Sequence, residues 1–186
     1  AADIRDLVAA ATGVQDAYPH LRFSFTLATL AASDGSYGGL NATGDATVRA
    51  ILASGLRNYT VNLMVVDYGA VGSGVCVVSG GVCDMGASAI QATENLQHTY
   101  AIPVSKIELT PMIGMNDVHD EVFTLADVTT VAAYAKTHGL AGIHFWSLDR
   151  DVPCSPPSAW VSITCNSVTS GTASLSYTNG FLDALG

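Results

Sequence analysis

The chain has 186 residues, of which 49% are hydrophobic and 12% charged, so it is suited to one folded domain with a buried core rather than a disordered chain or a coiled coil. Seven Lys and Arg residues are set against 16 Asp and Glu residues, and the formal net charge of −9 argues against nucleic acid or an anionic membrane surface as a partner. A neutral polymer or a small ligand fits this charge, and no apolar run approaches the ~20 residues of a membrane-spanning helix.

Helical and strand patterns alternate along the whole chain. In chain order they predict a helix over 4–17, a strand over 21–27, a helix over 46–54, a strand over 59–67, a helix over 84–100, a strand over 106–112, a helix over 124–138, a strand over 142–148 and a last helix over 177–185. Asp45 is predicted to cap the second helix, and Thr124 with Asp127 resembles a capping box.

This alternation indicates βαβ units, so the predicted fold class is α/β with parallel strand–helix repeats, and residues 1–186 are taken as a single domain. The repeat period of roughly 40 residues fits a barrel or a doubly wound sheet. A dinucleotide-binding turn is discounted, because the glycine-rich run over 69–74 has the wrong spacing and no helix directly behind it.

Four cysteines fall into two local pairs, Cys76 with Cys83 and Cys154 with Cys165. An even number of cysteines in short, loop-like brackets favours two disulfide bonds formed in an oxidising compartment. A metal site is the alternative, but neither pair has C-x2-C spacing or a histidine close by in sequence, so we predict no metal and no cofactor.

Two glycosylation triplets begin at Asn41 and Asn58. Together with the paired cysteines they predict a secreted, extracellular protein. The first residues have neither the basic nor the apolar region of a signal peptide. We therefore expect that a precursor segment was removed or that the chain begins inside a larger domain.

Polar and aromatic residues cluster where the predicted strands end. Along the chain these are Asp67, Tyr68, Asn116, Asp117, Trp146 and Arg150. The carboxyl ends of the strands carry the active site in a (β/α)8 barrel, so the set predicts a binding site. For any single member, capping a helix or satisfying backbone groups stays open as the alternative.

Four segments resemble chitinases of glycoside hydrolase family 18. They are FSFTL over 23–27, VNLMVVDYG over 61–69, LTPMIGMND over 109–117 and FWSLDRD over 145–151. In that family they are similar to strands five to eight of the barrel. The resemblance therefore implies that the chain is the C-terminal half of a TIM (β/α)8 barrel.

The resemblance implies a retaining, substrate-assisted reaction on chitin, the β-1,4-linked polymer of N-acetylglucosamine, in which the acetamido group of the substrate is the nucleophile. It gives Asp67 and Tyr68 the catalytic role of orienting that group. It places Trp146 beneath the sugar ring, where an indole suits the apolar face of a pyranose. The complete set of substrate-binding residues it implies is Met64, Met112, Asn116, Trp146 and Arg150.

The family's D-x-x-D-x-D-x-E run, whose Glu protonates the leaving oxygen, has no counterpart in residues 1–186. Glu94, Glu108 and Glu121 stand in other contexts, and a capping or surface role is predicted for Glu121. Two functions stay open. One is a chitinase-type enzyme, or a fragment of one, that acts with an acid from elsewhere. The other is a non-catalytic, lectin-like protein that binds chitin or chito-oligosaccharides.

A parallel sheet cut from a barrel would have two open edges and an apolar inner face without a partner. We therefore expect either a homodimer that closes the barrel or association with a missing N-terminal half. The alternative is an open sheet with helices folded over both faces.

Overall fold

A computed structural model describes residues 2–168 and 171–186. Its elements are α1 (Ala2–Ala17), β1 (Phe23–Ala28), α2 (Ala42–Ser54), β2 (Tyr59–Met64), β3 (Val78–Ser79), β4 (Val82–Cys83), α3 (Met85–Tyr100), β5 (Ile107–Thr110), β6 (Gly114–Met115), β7 (Val122–Phe123), α4 (Leu125–His138), β8 (Gly142–Ile143) and α5 (Ser176–Leu185). The alternation of helices and strands is confirmed, and two short hairpins, β3–β4 and β6–β7, were not predicted.

The main sheet has the strand order β1-β2-β5-β8, and every neighbouring pair is parallel. In this register Leu27 lies opposite Leu63, Leu63 opposite Leu109, and Leu109 opposite Ile143. The predicted α/β class with parallel strand–helix repeats is confirmed, and it is consistent with a fragment of a TIM barrel. The last strand is much shorter than the predicted span of 142–148.

The start of α2 differs from the prediction. The helix begins at Ala42, and the side chain of Asn41 caps it by accepting a hydrogen bond from the Gly44 N–H at 2.9 Å. Asp45 is therefore not the cap and lies within the first turn, where it pairs with Arg49. The predicted start was wrong because Asp45 was taken as the cap, whereas residues 42–45 already belong to the helix.

Other helix ends match the sequence. Thr124 and Asp127 form the predicted capping box at the start of α4, each side chain bonding to the backbone of the other. Gly139 ends α4 in the left-handed conformation that glycine adopts without a Cβ clash. These termini are local, so spacing alone is enough to locate them.

One face of the sheet is apolar and lies against the helices. Val61 and Leu63 of β2 and Leu109 of β5 are fully buried together with helix residues such as Ile51 and Val131. Burial of this alternate set of strand side chains supplies the main hydrophobic contribution to stability.

The opposite face, here called the open face, is polar. It carries Ser24, Thr26, Thr60, Asn62, Glu108 and Thr110, with Ala28 and Met64 at the strand ends. The expectation of an apolar inner face was wrong, because Val, Ile, Leu and Phe occupy the alternate positions that point to the helices. Thr60, Asn62 and Glu108 are buried and already hydrogen-bonded to neighbours on this face, so only its exposed part is left for a partner.

Both predicted disulfide bonds are confirmed, Cys76–Cys83 and Cys154–Cys165. The two glycosylation triplets differ in setting. Asn41 is exposed, whereas Nδ2 of Asn58, the atom that a glycan would modify, donates to the Leu21 carbonyl at 3.1 Å. Within the described ranges, no helix has the length and apolar character needed to cross a membrane.

Candidate functional site

A cleft of about 490 Å³ lies where the parallel strands end. It is lined by Thr26, Met64, Val66, Asp67, Thr110, Met112, Asp117, Trp146, Arg150, Val161, Ser162 and Ile163. Six of the eight residues predicted for a site fall in this set: Met64, Asp67, Met112, Asp117, Trp146 and Arg150. The parallel sheet brings them together, because each follows or ends a strand at the same edge.

Asp67 is one of two exposed carboxylates that line the cleft, and it lies three residues beyond the end of β2. Its φ of 52° is in the left-handed region, which is uncommon for a residue other than glycine. The Val118 N–H donates to Asp67 Oδ1 at 3.0 Å. Oδ2 accepts no hydrogen bond from the described residues, so it is available to a ligand.

Glu121 holds the turn that carries Asp67. Its two carboxylate oxygens accept from the N–H groups of Tyr68 and Gly69, each at 3.0 Å. The residue is only 2% exposed, so the predicted capping or surface role was wrong. Burial, and then the nearby charge of Asp67, raise the pKa of Glu121 despite these hydrogen bonds. No sequence signal marks this contact, which spans more than fifty positions of the chain.

Trp146 forms an aromatic wall of the cleft. It is 56% exposed and pairs through its backbone with Met112, which brings the two side chains to the same part of the cleft. Met64, at the end of β2, is 40% exposed beside them. An indole with two thioethers offers a sugar ring an apolar surface that adapts to its shape.

A polar ladder crosses the sheet at the floor of the cleft. Asn62 Nδ2 donates to Thr26 Oγ1 at 3.1 Å, and Thr110 Oγ1 donates to Asn62 Oδ1 at 2.9 Å. Sequence reasoning missed this ladder, although its members occupy the polar positions of alternating strands. The ladder fixes the hydroxyl groups of the two threonines that line the cleft.

Two predicted site residues do not line the cleft. Tyr68 is 3% exposed, packs in the core, and has a buried hydroxyl with no hydrogen-bond partner among the described residues. Burial raises the pKa of Tyr68 well above its usual value, and the charge of Glu121 adds to this. Asn116 is fully buried and donates to the carbonyls of Met112 and Gly114, so it shapes the backbone beside the cleft.

Arg150 lies beneath the cleft wall and is fully buried. Its guanidinium donates to the carbonyls of Ile113, Met115 and Ser162. Burial lowers the pKa of Arg150, although nearby carboxylates, first among them Asp117, oppose that shift. These contacts join the segment after β5 to the loop over 152–168, so the visible role of Arg150 is to hold the wall.

The chain resembles known chitinases in sequence and in structure. It is 31% identical over 126 residues to a probable bifunctional chitinase/lysozyme of Escherichia coli, covering 62% of this chain and 13% of that protein. It is 29% identical over 128 residues to endochitinase 11 of Metarhizium anisopliae, covering 63% of this chain and 23% of that protein. No protein-family model matches the chain.

The solved catalytic domain of a hyperthermophilic chitinase from Pyrococcus furiosus superposes with a TM-score of 0.77 and 27% identity, over 98% of this chain and 56% of that domain. The chain is a relative of the chitinase-type glycoside hydrolases. The family 18 resemblance is consistent with this finding. Because the chain spans about half of that catalytic domain, and less of the two curated relatives, the activity of the whole protein is a matter for proposal.

The chitinase resemblance implies that the proton donor is a glutamate. No glutamate lines the cleft in the described residues. Glu94 is exposed on α3, and Glu121 is engaged with the backbone near Asp67. Glu108 is buried on the open face with an ion pair of 2.6 Å to Arg22. The carboxylates of the cleft in this chitinase relative are Asp67 and Asp117.

Glu108 belongs to a separate polar cluster. Ser24 Oγ and Thr60 Oγ1 donate to its Oε2 at 2.5 and 2.9 Å, and His144 Nε2 lies 3.6 Å from the same oxygen. Burial alone would raise the pKa of Glu108, but the two hydroxyl donors and the Arg22 charge outweigh it and lower the pKa. No group of three His, Cys, Asp or Glu side chains in the described ranges is arranged to hold a metal ion.

Proposed function

We propose that this chain supplies the acetamide-binding part of a chitinase-type site that acts on β-1,4-linked N-acetylglucosamine. The observation that carries the proposal is that Asp67, Met64 and Trp146 line one cleft at the carboxyl ends of parallel strands. Catalytic-site mutants of a related Pyrococcus furiosus chitinase, of which this chain covers 56%, have been solved in complex with chito-oligosaccharides. That supports the same class of ligand here.

In the proposed complex, Asp67 Oδ2 accepts the N–H of the acetamido group. The Val118 N–H holds the Asp67 carboxylate, and Glu121 holds the backbone N–H groups of Tyr68 and Gly69 that follow it; we call this second contact the Glu121 clamp. Little reorganisation is therefore needed when the ligand binds. Holding the amide in this way directs its carbonyl oxygen to the anomeric carbon, where it displaces the leaving oxygen. Trp146 supports the apolar face of the same ring.

The proton for the leaving oxygen comes, in this proposal, from a carboxylic acid outside residues 1–186. Loss of a general acid typically lowers a rate by about 10²–10⁴-fold. We therefore propose that residues 1–186, tested alone, release reducing ends from colloidal chitin slowly or not at all. A rate equal to that of complete chitinases would contradict this and would direct attention to Asp67 and Asp117 as donors.

A second candidate function is a lectin-like protein that binds chito-oligosaccharides without cleaving them. The specific observation in its favour is that no glutamate lines the cleft in the described part of the chain. The two functions share the binding step and differ in hydrolysis by the full-length protein. A full-length protein that carries the D-x-x-D-x-D-x-E run and cleaves chitin would be the enzyme. A full-length protein that binds chito-oligosaccharides without cleaving them would be the lectin-like protein.

Calorimetry with chito-oligosaccharides and cello-oligosaccharides of equal length tests the binding step, because the two differ in the acetamido group. We expect the chain to prefer the chito-oligosaccharide and Asp67→Ala to lose that preference. Asp183→Ala, on the exposed surface of α5, is the matched control and should keep it. Equal affinity of the unmodified chain for both sugars would contradict the proposal.

A further inference from the structure

Trp160 is a second exposed tryptophan beside the cleft. The chain has two tryptophans, and Trp160 is the more exposed, at 73% against 56% for Trp146. Its neighbour Val161, together with Ile163, lines the cleft. Trp160 is not part of the hydrophobic core, so the described fold does not require an indole at this position.

The backbone around Trp160 is fixed from several sides. The Ser167 hydroxyl donates to the Trp160 carbonyl at 2.7 Å, and the Trp160 N–H donates to Ser158 Oγ at 3.1 Å. The Cys154–Cys165 disulfide closes the loop, and buried Arg150 donates to the Ser162 carbonyl. A side chain displayed from a fixed loop binds a ligand with a small ordering cost.

His119 places Trp160 at the rim of the cleft. The two rings meet at 68° with centroids 5.6 Å apart, and His119 Nε2 lies 3.2 Å from the Ala159 carbonyl. His119 is two residues beyond Asp117, which lines the cleft. A near-perpendicular contact occupies at most one face of the indole, and the high exposure of Trp160 leaves an indole face open to solvent.

We propose that Trp160 is a second aromatic platform, which binds a further N-acetylglucosamine ring of the same chito-oligosaccharide, beyond the ring held at Trp146. The inference rests on the proposed function and extends its site along the polymer. A pyranose presents a flat set of C–H groups that packs on an indole face. Trp146 and Val161 line the same cleft, and Trp160 is the neighbour of Val161. A longer oligosaccharide can therefore extend from Trp146 to Trp160, whereas a disaccharide does not fill this distance.

Calorimetry with the disaccharide and the hexasaccharide of N-acetylglucosamine tests this extension. We expect Trp160→Ala to weaken hexasaccharide binding by about tenfold and to leave disaccharide binding unchanged. Trp160→Phe should restore most of the loss. Trp146→Ala should weaken both ligands, and Leu182→Ala, an exposed apolar residue of α5, should affect neither.

Fluorescence gives a second readout that does not depend on affinity alone. In Trp146→Phe the only indole is Trp160, and we expect its emission to shift to the blue with the hexasaccharide but not with the disaccharide. An unchanged affinity in Trp160→Ala, an equal loss for both ligands, or a loss confined to insoluble chitin would each overturn the extension alone. Failure of the unmodified protein to bind either sugar would overturn the proposed function as well.

Discussion

Glu121 acts at the scale of a single residue by holding two backbone N–H groups beside Asp67. A carboxylate suits this position because it offers two acceptors and no donor. An amide side chain would offer one acceptor and turn its NH2 group towards the second N–H. The orientation of Asp67 therefore depends on a side chain that does not itself line the cleft.

We expect Glu121→Gln to weaken chito-oligosaccharide binding by about 10- to 100-fold, because a small displacement of Asp67 is costly at a preorganised site. Amide hydrogen exchange at Tyr68 and Gly69 should become faster in the same variant. Glu94→Gln, on the exposed surface of α3, is the control and should change neither. Slow exchange and full affinity in Glu121→Gln would show that the clamp is unimportant.

The raised pKa of Glu121 also sets the direction of a pH effect. As the pH falls through this pKa, the carboxylate gains a proton and one N–H loses its acceptor, so affinity should fall. The native chain binds this proton more readily than the unfolded chain, so the same titration adds stability as the pH falls. Sugar affinity and thermal stability measured over the same pH range separate the effect on binding from the effect on folding. We expect affinity to drop as the pH falls while the contribution of Glu121 to thermal stability does not.

Glu108 is the second residue whose charge matters, here for stability rather than binding. At neutral pH we expect Glu108→Gln to lower the free energy of unfolding by about 1–3 kcal/mol, because a buried hydrogen-bonded charge is replaced. The lowered pKa means that this stabilisation is present above the unfolded pKa and is lost as the pH falls through the folded pKa. Urea unfolding at neutral and at acid pH should therefore show a difference from the wild type that shrinks in acid. A difference that is constant with pH would contradict this assignment.

At the scale of elements, the loop over 152–168 is as important to the cleft as the strands are. It contributes Val161, Ser162 and Ile163 to the lining, and Cys154–Cys165 closes it. The Cys76–Cys83 bond closes a loop of similar length around the β3–β4 hairpin, which lies outside the cleft lining. The two disulfides should thus have similar effects on stability and different effects on binding.

We expect Cys154→Ser with Cys165→Ser to lose about 2–3 kcal/mol of stability in the chain-entropy estimate and also to weaken sugar binding. The matched pair Cys76→Ser with Cys83→Ser should lose a similar free energy and keep its affinity. Denaturant unfolding and calorimetry on both double variants measure the two quantities. Equal losses of affinity would show that the cleft depends on overall stability and not on its own loop.

At the scale of the whole molecule, the sheet has a covered apolar face and a polar open face, and β1 and β8 each pair with one neighbour in the described residues. Unpaired strand edges expose N–H and C=O groups that pair readily with another chain. The exposed hydroxyl groups of this face, those of Ser24 and Thr26, favour a partner with hydrogen-bonding groups over an apolar one.

We expect residues 1–186 in isolation to associate, giving an apparent mass above 19.2 kDa in light scattering at micromolar concentration. Ala28→Lys places a charge on the exposed end of β1 and should reduce association. Ala133→Lys, on the exposed side of α4, is the matched control and should not. A monomer at every concentration, with cooperative unfolding, would contradict completion of a barrel by a partner and favour an open sheet.

The sequence by itself determined the features that depend on neighbours along the chain. The alternating patterns gave parallel strand–helix repeats, the spacing of Thr124 and Asp127 gave a capping box, and the short cysteine brackets gave both disulfide bonds. The strand ends also indicated that Asp67 and Trp146 lie at one edge of the sheet. Each of these needs only local geometry or the rule that parallel strands share a direction.

Only the tertiary structure decided which polar side chains are exposed in the cleft. Arg150 and Asn116 follow strands just as Asp67 does, yet both are buried with their side-chain N–H groups bonded to backbone carbonyls. Glu121 reaches Tyr68 across the fold. Whether a polar group is exposed or enclosed depends on backbone groups distant in sequence, because a buried donor or acceptor must find its partner wherever the fold brings one.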